Sequence, residues 1–157
     1  MFFIEVMKKI SEILEQIAAD LGLIYIRAIN INDLNQAIGA VKIDRPLLVY
    51  ADLAEVQKPE ILTNFTYYNT SVKIYILNIN KTPDATARQI DDLLQPLFET
   101  ALTVTDAVQK SVLTYSGADV IQDNLTAADS IELTDDVLSG WELMLTVPMI
   151  ENAFYCE

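Results

Sequence analysis

Asp129, Glu132, Asp135 and Asp136 come closest to a chemical constellation in this sequence, since carboxylates this near one another can hold Ca²⁺ or Mg²⁺ or exchange a proton. Their order lacks the D-x-[DN]-x-[DN]-G spacing of a calcium-binding loop, so a solvated acidic loop is the plainer reading. Asp91-Asp92 is a second carboxylate pair. Adjacent residues on a helix point about 100° apart, so these two do not converge on one ion. The sequence has no histidine, which removes the commonest base near neutral pH and every Ser-His-Asp, Cys-His or His-metal arrangement. Gly22, Gly39, Gly117 and Gly140 stand singly and form no phosphate cradle. Cys156 is the only cysteine, so neither an internal disulfide nor a thiolate cage can form. The expectation is a chain with no catalytic residue, no metal and no cofactor, acting by contact with other proteins.

The residue types that favour contact are tyrosines. Tyr67, Tyr68 and Tyr75 make an aromatic patch across a proposed hairpin that also carries Lys73, Leu77 and Ile79. Without a surrounding basic patch they do not make a base-stacking platform. Tyrosine is enriched at protein interfaces, and these six residues are the candidate subunit interface. Trp141 reads as a core anchor.

Stepping along the chain, Phe3, Val6, Met7, Ile10, Ile13, Leu14, Ile17 and Leu21 recur at helical spacing, and Gly22 suits a left-handed C-terminal cap. Leu23 to Ile29 reads as a strand, 30–41 as a short helix or turn, and Leu47 to Leu53 as a central strand entered through Arg45-Pro46. Ile61 to Tyr68 and Ser71 to Asn80 read as two strands joined by a hairpin turn at Asn69-Thr70. In the second, Val72, Ile74, Ile76 and Asn78 fall on one face and Lys73, Tyr75, Leu77 and Ile79 on the other. Apolar residues on both faces imply either a covered sheet or an oligomer contact.

Thr82-Pro83-Asp84 starts a helix whose buried stripe is Ile90, Leu93, Leu94, Leu97 and Phe98, with Pro96 expected to kink or break it. A separate short helix is expected from Asp106 to Val112. Val120 to Gln122 and Ile131 to Leu133 read as two short strands split by Asp-rich turns, and Asp135 to Gly140 as a loop. Trp141, Leu143, Leu145 and Val147 then alternate in a last strand limited by Pro148. The expected fold is one α+β domain over 1–157, with a mixed, mainly antiparallel sheet and helices packed on one face.

The chain is 52% hydrophobic, yet its apolar blocks are too short to span a bilayer, and Glu5, Lys8 and Lys9 interrupt any secretory signal. An intracellular protein is expected. The formal charge of -13 is uneven: residues 1–80 hold nine acids and seven bases, residues 81–157 fourteen and three. From Ser111 onward there are nine acids and no base. Such a surface repels phosphate, which argues against nucleic-acid binding through basic contacts and for a basic partner, a DNA-mimicking role, or solubility alone.

Arg45-Pro46-Leu47-Leu48-Val49-Tyr50, Val72-Lys73-Ile74-Tyr75-Ile76-Leu77, the Pro83 to Leu102 helix and the Trp141 to Met149 strand follow one another in an order that resembles the tail-terminator and tail-completion proteins of long-tailed bacteriophages. The likeness is one of element order over most of the chain, and the acidic stretch from Gly117 to Gly140 is a departure from it. It implies a virion structural protein, in the virion or host cytoplasm, that forms a ring, typically hexameric, at the head-proximal end of the tail or in the head-tail connector. Its partners would be copies of itself, the tail tube and head-completion proteins, with no membrane and no sequence-specific nucleic acid. In such a ring Asp129, Glu132, Asp135 and Asp136 would supply an acidic lumen or partner surface, repelling DNA in transit. The alternatives are an acidic DNA mimic that inhibits a nucleic-acid-binding protein and, third, a carboxylate- and Mg²⁺-dependent enzyme.

Overall fold

The computed structural model describes residues 2–29, 33–38, 42–51, 55–56, 60–62, 65–80, 87–111, 119–132 and 137–150. These form three helices and a seven-stranded sheet, an α+β fold.

Helix α1 (Phe2–Leu21) buries Ile10, Leu14, Ile17 and Ala18 and exposes Glu12, Glu15 and Gln16, as its 3.6-residue periodicity requires. Gly22, at φ 71°, ends it. Leu23 N–H donates to Ala18 O at 2.8 Å and Gly22 N–H to Ala19 O at 3.3 Å, the paired bonds of a Schellman cap.

Strand β1 (Ile24–Arg27), helix α2 (Leu34–Ile38) and strand β2 (Leu47–Tyr50) make a parallel crossover, with Ile24 opposite Leu47 and Arg27 opposite Tyr50. Strand β2 is fully buried, so both of its faces are covered. Strands β3 (Glu55–Val56) and β4 (Glu60–Leu62) continue along β5 (Phe65–Asn80), the 16-residue spine of the sheet.

The expected turn at Asn69-Thr70 is therefore wrong. Both residues lie inside β5, opposite Pro148 and Val147, and the hairpin closes where Leu62 pairs with Phe65. Strand β7 pairs with both residues and β3 with Thr70, and those neighbours override a local turn preference.

Helix α3 (Ala87–Gln109) runs unbroken through Pro96 and includes Asp106 to Gln109, so the expected break and separate helix are also corrected. Pro96 is exposed, while Leu97, Ala101, Val104 and Val108 are buried along one side. The burial of that side after the proline offsets the lost N–H. The residues proposed for the helix start, 82–84, lie outside the described ones.

Strand β6 (Ile121–Glu132) is continuous where two short strands were expected, with register shifts at 122/124 and 128/131 that absorb its polar residues. Strand β7 (Val137–Ile150) includes Ser139, Gly140 and Pro148, so the expected loop and the limit at Pro148 do not hold. The sheet order is β1-β2-β5-β7-β6, with β3 and β4 also on β5. Every pairing is antiparallel except that of β1 with β2.

Alternation divides the core in two. Leu48, Tyr50, Val72, Ile74, Ile76, Leu143, Leu145 and Val147 pack with α1 and α3. Leu47, Val49, Tyr75, Leu77 and Leu138 pack with α2 on the other face. The two long helices thus share one face, while the short α2 covers part of the second. Among the described residues, no helix is long and apolar enough to cross a membrane.

Candidate functional site

Strand β5 carries all six residues of the candidate interface. Leu77 is fully buried opposite Gly140, and Tyr75 is 6% exposed; both pack in the α2-side core. The Tyr75 hydroxyl donates to Glu142 Oε2 at 2.9 Å, across the β5–β7 pair. Ile79 is half-buried against the same core, and Tyr68 half-buried against the α1/α3 core. Lys73 is half-buried opposite Met144. Tyr67 is placed by its backbone alone, opposite Glu60 and Ile150.

The apolar residues on both faces of β5 therefore reflect a sheet covered by its own chain. The side chains of Leu77 and Tyr75 are buried within the chain and have little surface left for a neighbour. Period-2 alternation cannot distinguish burial against the chain's own α2 from burial against another subunit, because both remove the same area from water.

Asp129 and Glu132 lie on β6, the outermost strand, while Asp135 and Asp136 fall outside the described residues. Asp91 and Asp92 are both exposed on α3. They belong to an acidic surface that sequence reading did not single out. On the outward sides of α1 and α3, Glu12, Glu15, Asp20, Asp91, Asp92, Glu99 and Asp106 are exposed, against Lys8, Arg88 and Lys110. Lys110 is paired with Asp106 at 2.7 Å. The signal for this surface is the acidic content of the polar stripe of both helices. It becomes one surface only because both helices pack on the same face of the sheet.

Two surface cavities border the helices. One, of about 570 Å³, is lined by Met7, Lys8, Ser11, Glu12 and Arg27. Ser11 Oγ is held by Tyr25 Oη at 2.7 Å, so its hydroxyl faces a phenol and not a base. Arg27 donates to Tyr50 O at 2.7 Å and also to Ala28 O, with its guanidinium 4.0 Å from the centre of the Tyr50 ring. Those contacts tie the end of β1 to β2. Burial pushes the Tyr50 phenol up to about 12, with Arg27 acting in the opposite direction. Burial raises the Tyr25 phenol as well, against the hydrogen bond from Ser11.

The second cavity, of about 400 Å³, lies between the end of α1 and the middle of α3, lined by Leu21, Leu23, Pro96, Glu99, Thr100 and Thr103. Its one ionisable side chain is Glu99, so it brings no acid-base pair together. Among the described residues, no three acidic or thiol side chains gather into a metal-binding group.

No protein-family model matches this chain, and no curated protein or solved structure is significantly similar to it.

Proposed function

We propose that this protein is a structural subunit that acts by docking, assembling with copies of itself into a ring at the head-proximal end of a phage tail or in the head-tail connector. The observation that carries the proposal is the acidic helix layer, in which seven exposed carboxylates on α1 and α3 face three basic side chains. A wall of this sign repels phosphate and lets DNA pass without being arrested. The order of elements, with a long central strand and a closing strand that runs beside it, supports the same reading.

The DNA-mimic reading gains one specific observation, since the exposed acids lie along two helices and not only in loops. Asp91, Glu99 and Asp106 are nevertheless seven or eight residues apart, roughly 10–12 Å along the axis. Duplex DNA carries a charge about every 1.7 Å, so this row is a sparse imitation.

Light scattering with negative-stain imaging of the purified chain tests the proposal. Closed rings of identical subunits are expected, forming more readily as concentration rises. A strict monomer that displaces DNA from a basic protein would overturn the ring in favour of the mimic.

A further inference from the structure

Among the described residues the strand order ends on β1 and on β6, with the short β3 and β4 beside β5 off that path. Among the described residues, β1 pairs only with β2 and β6 only with β7. On β1, Ile24 N–H and the following Ala28 N–H point inward, to Pro46 O and Tyr50 O. Alternation therefore turns the backbone N–H and C=O groups of Tyr25 and Arg27 outward. On the far side the 12-residue β6 has no lysine and no proline, two of the devices that blunt strand pairing, and between its register shifts 124–128 follow one another in regular pairing with β7.

The two edges differ in charge. Residues 24–46, from β1 through the entrance to β2, hold Arg27, Lys42 and Arg45 against Asp33 and Asp44. Lys42 and Arg45 are exposed. Residues 119–132 hold Asp119, Asp123, Asp129 and Glu132 and no base.

Strand direction decides what each edge can accept. Strand β1 runs with β2, β2 against β5, β5 against β7, and β7 against β6. So β1 and β6 point in opposite directions, and a copy that continues the sheet in the same sense brings β6 beside β1 as an antiparallel pair. Two-fold pairing of β6 with β6 would instead bring the three acids of one strand against the three of its copy, which like-charge repulsion disfavours.

Resting on the ring reading above, we infer that the two edges are the two halves of one head-to-tail subunit interface, β6 of one copy adding to β1 of the next. An interface of this kind joins unlike patches and closes into a ring when the rotation allows. Strand β1 has four residues, so each junction makes few ladder bonds, and closure, which holds every subunit at both edges, is what makes the assembly persist.

The test uses charged residues of the two segments, in the full chain. Lys42→Glu with Arg45→Glu reverses the basic segment that enters β2 beside the start of β1, and Asp119→Lys with Asp123→Lys reverses the first acids of the segment that holds β6. Each double variant alone is expected to need about tenfold more protein to assemble than the unmodified chain. An equimolar mixture of the two is expected to assemble at the original concentration or below, because each reversed edge then meets its complement. High salt is expected to shrink these differences. Circular dichroism establishes that both variants are folded.

Improved assembly of the β6 variant alone, with the β1 variant unchanged, would establish two-fold pairing and overturn the inference. Rings that form equally well from every variant remove the edge pairing and leave the ring reading standing. A chain that stays monomeric at every concentration removes both.

Discussion

Trp141 on β7 donates its indole N–H to the backbone carbonyl of Leu94 on α3, at 2.9 Å. Its ring meets Phe98 edge-on, with centroids 5.3 Å apart and planes at 67°. One residue thus donates to a helix carbonyl and packs against the next turn, close to Pro96, whose missing N–H removes the helix bond to the carbonyl of Asp92. Trp141→Phe keeps an aromatic ring but leaves Leu94 O without this donor, an expected loss of about 1 kcal/mol. Trp141→Ala is expected to lose about 3 kcal/mol. Urea unfolding followed by circular dichroism measures both, and an unchanged midpoint for Trp141→Phe would show that the hydrogen bond contributes nothing.

Gly140 allows β7 to lie against β5. A Cβ at this position would overlap the carbonyl oxygen of Ile76 and stand 2.9 Å from Leu77 Cα. Those are backbone atoms of a paired strand and cannot rotate away. Gly140→Ala is expected to cost on the order of 3 kcal/mol or to prevent folding. Gly22→Ala is the contrast: its Cβ would meet nothing within 4 Å, and only the φ of +71° opposes it. Its expected cost is about 1 kcal/mol. Thermal unfolding of the two variants should rank them in that order.

Thr70 is fully buried, and its Oγ1 has no hydrogen-bond partner. Thr70→Val replaces that hydroxyl with a methyl of similar shape and is expected to raise stability by about 1 kcal/mol. Thr70→Ser keeps the hydroxyl and opens a small void, so it should destabilise by about 1 kcal/mol. A lower urea midpoint for the valine variant would reveal a partner for the hydroxyl.

Tyr50 is also fully buried with an unpartnered hydroxyl, and burial lifts its phenol from 10.0 to about 12. A folded value above the unfolded one means that the neutral phenol stabilises fully below about pH 10, and that this contribution is lost as pH rises toward 12. Stability is therefore expected to fall over pH 10–12. Tyr50→Phe removes the ionisable group and should flatten that fall, leaving the part due to Tyr25. An unchanged alkaline profile in Tyr50→Phe would place the titration elsewhere.

Much of the fold is legible in the order of residues. The apolar spacing from Phe3 to Leu21 predicts α1, and Gly22 marks its end because only a residue without Cβ takes φ 71° freely. Leu47 to Tyr50 and Val72 to Ile79 announce strands through β-branched and aromatic density. Asn69-Thr70, Pro96 and Ser139-Gly140 mislead for one shared reason. Each has the local chemistry of a turn or a break, and each is held in a regular element by neighbours distant in sequence.

The candidate site divides along the same line. Local sequence determined the acidity of the C-terminal half, the lack of histidine and of a glycine cradle, and the apolar faces of β5, because each is a property of residue type and short-range period. Only the tertiary structure decided that Tyr75 and Leu77 are buried within the chain, that α1 and α3 merge their acidic sides into one surface, and that β1 and β6 end the strand order. The physical reason is that burial and edge status are relations between segments far apart in the chain, set by which strands win the pairing, and no local pattern encodes the identity of the partner.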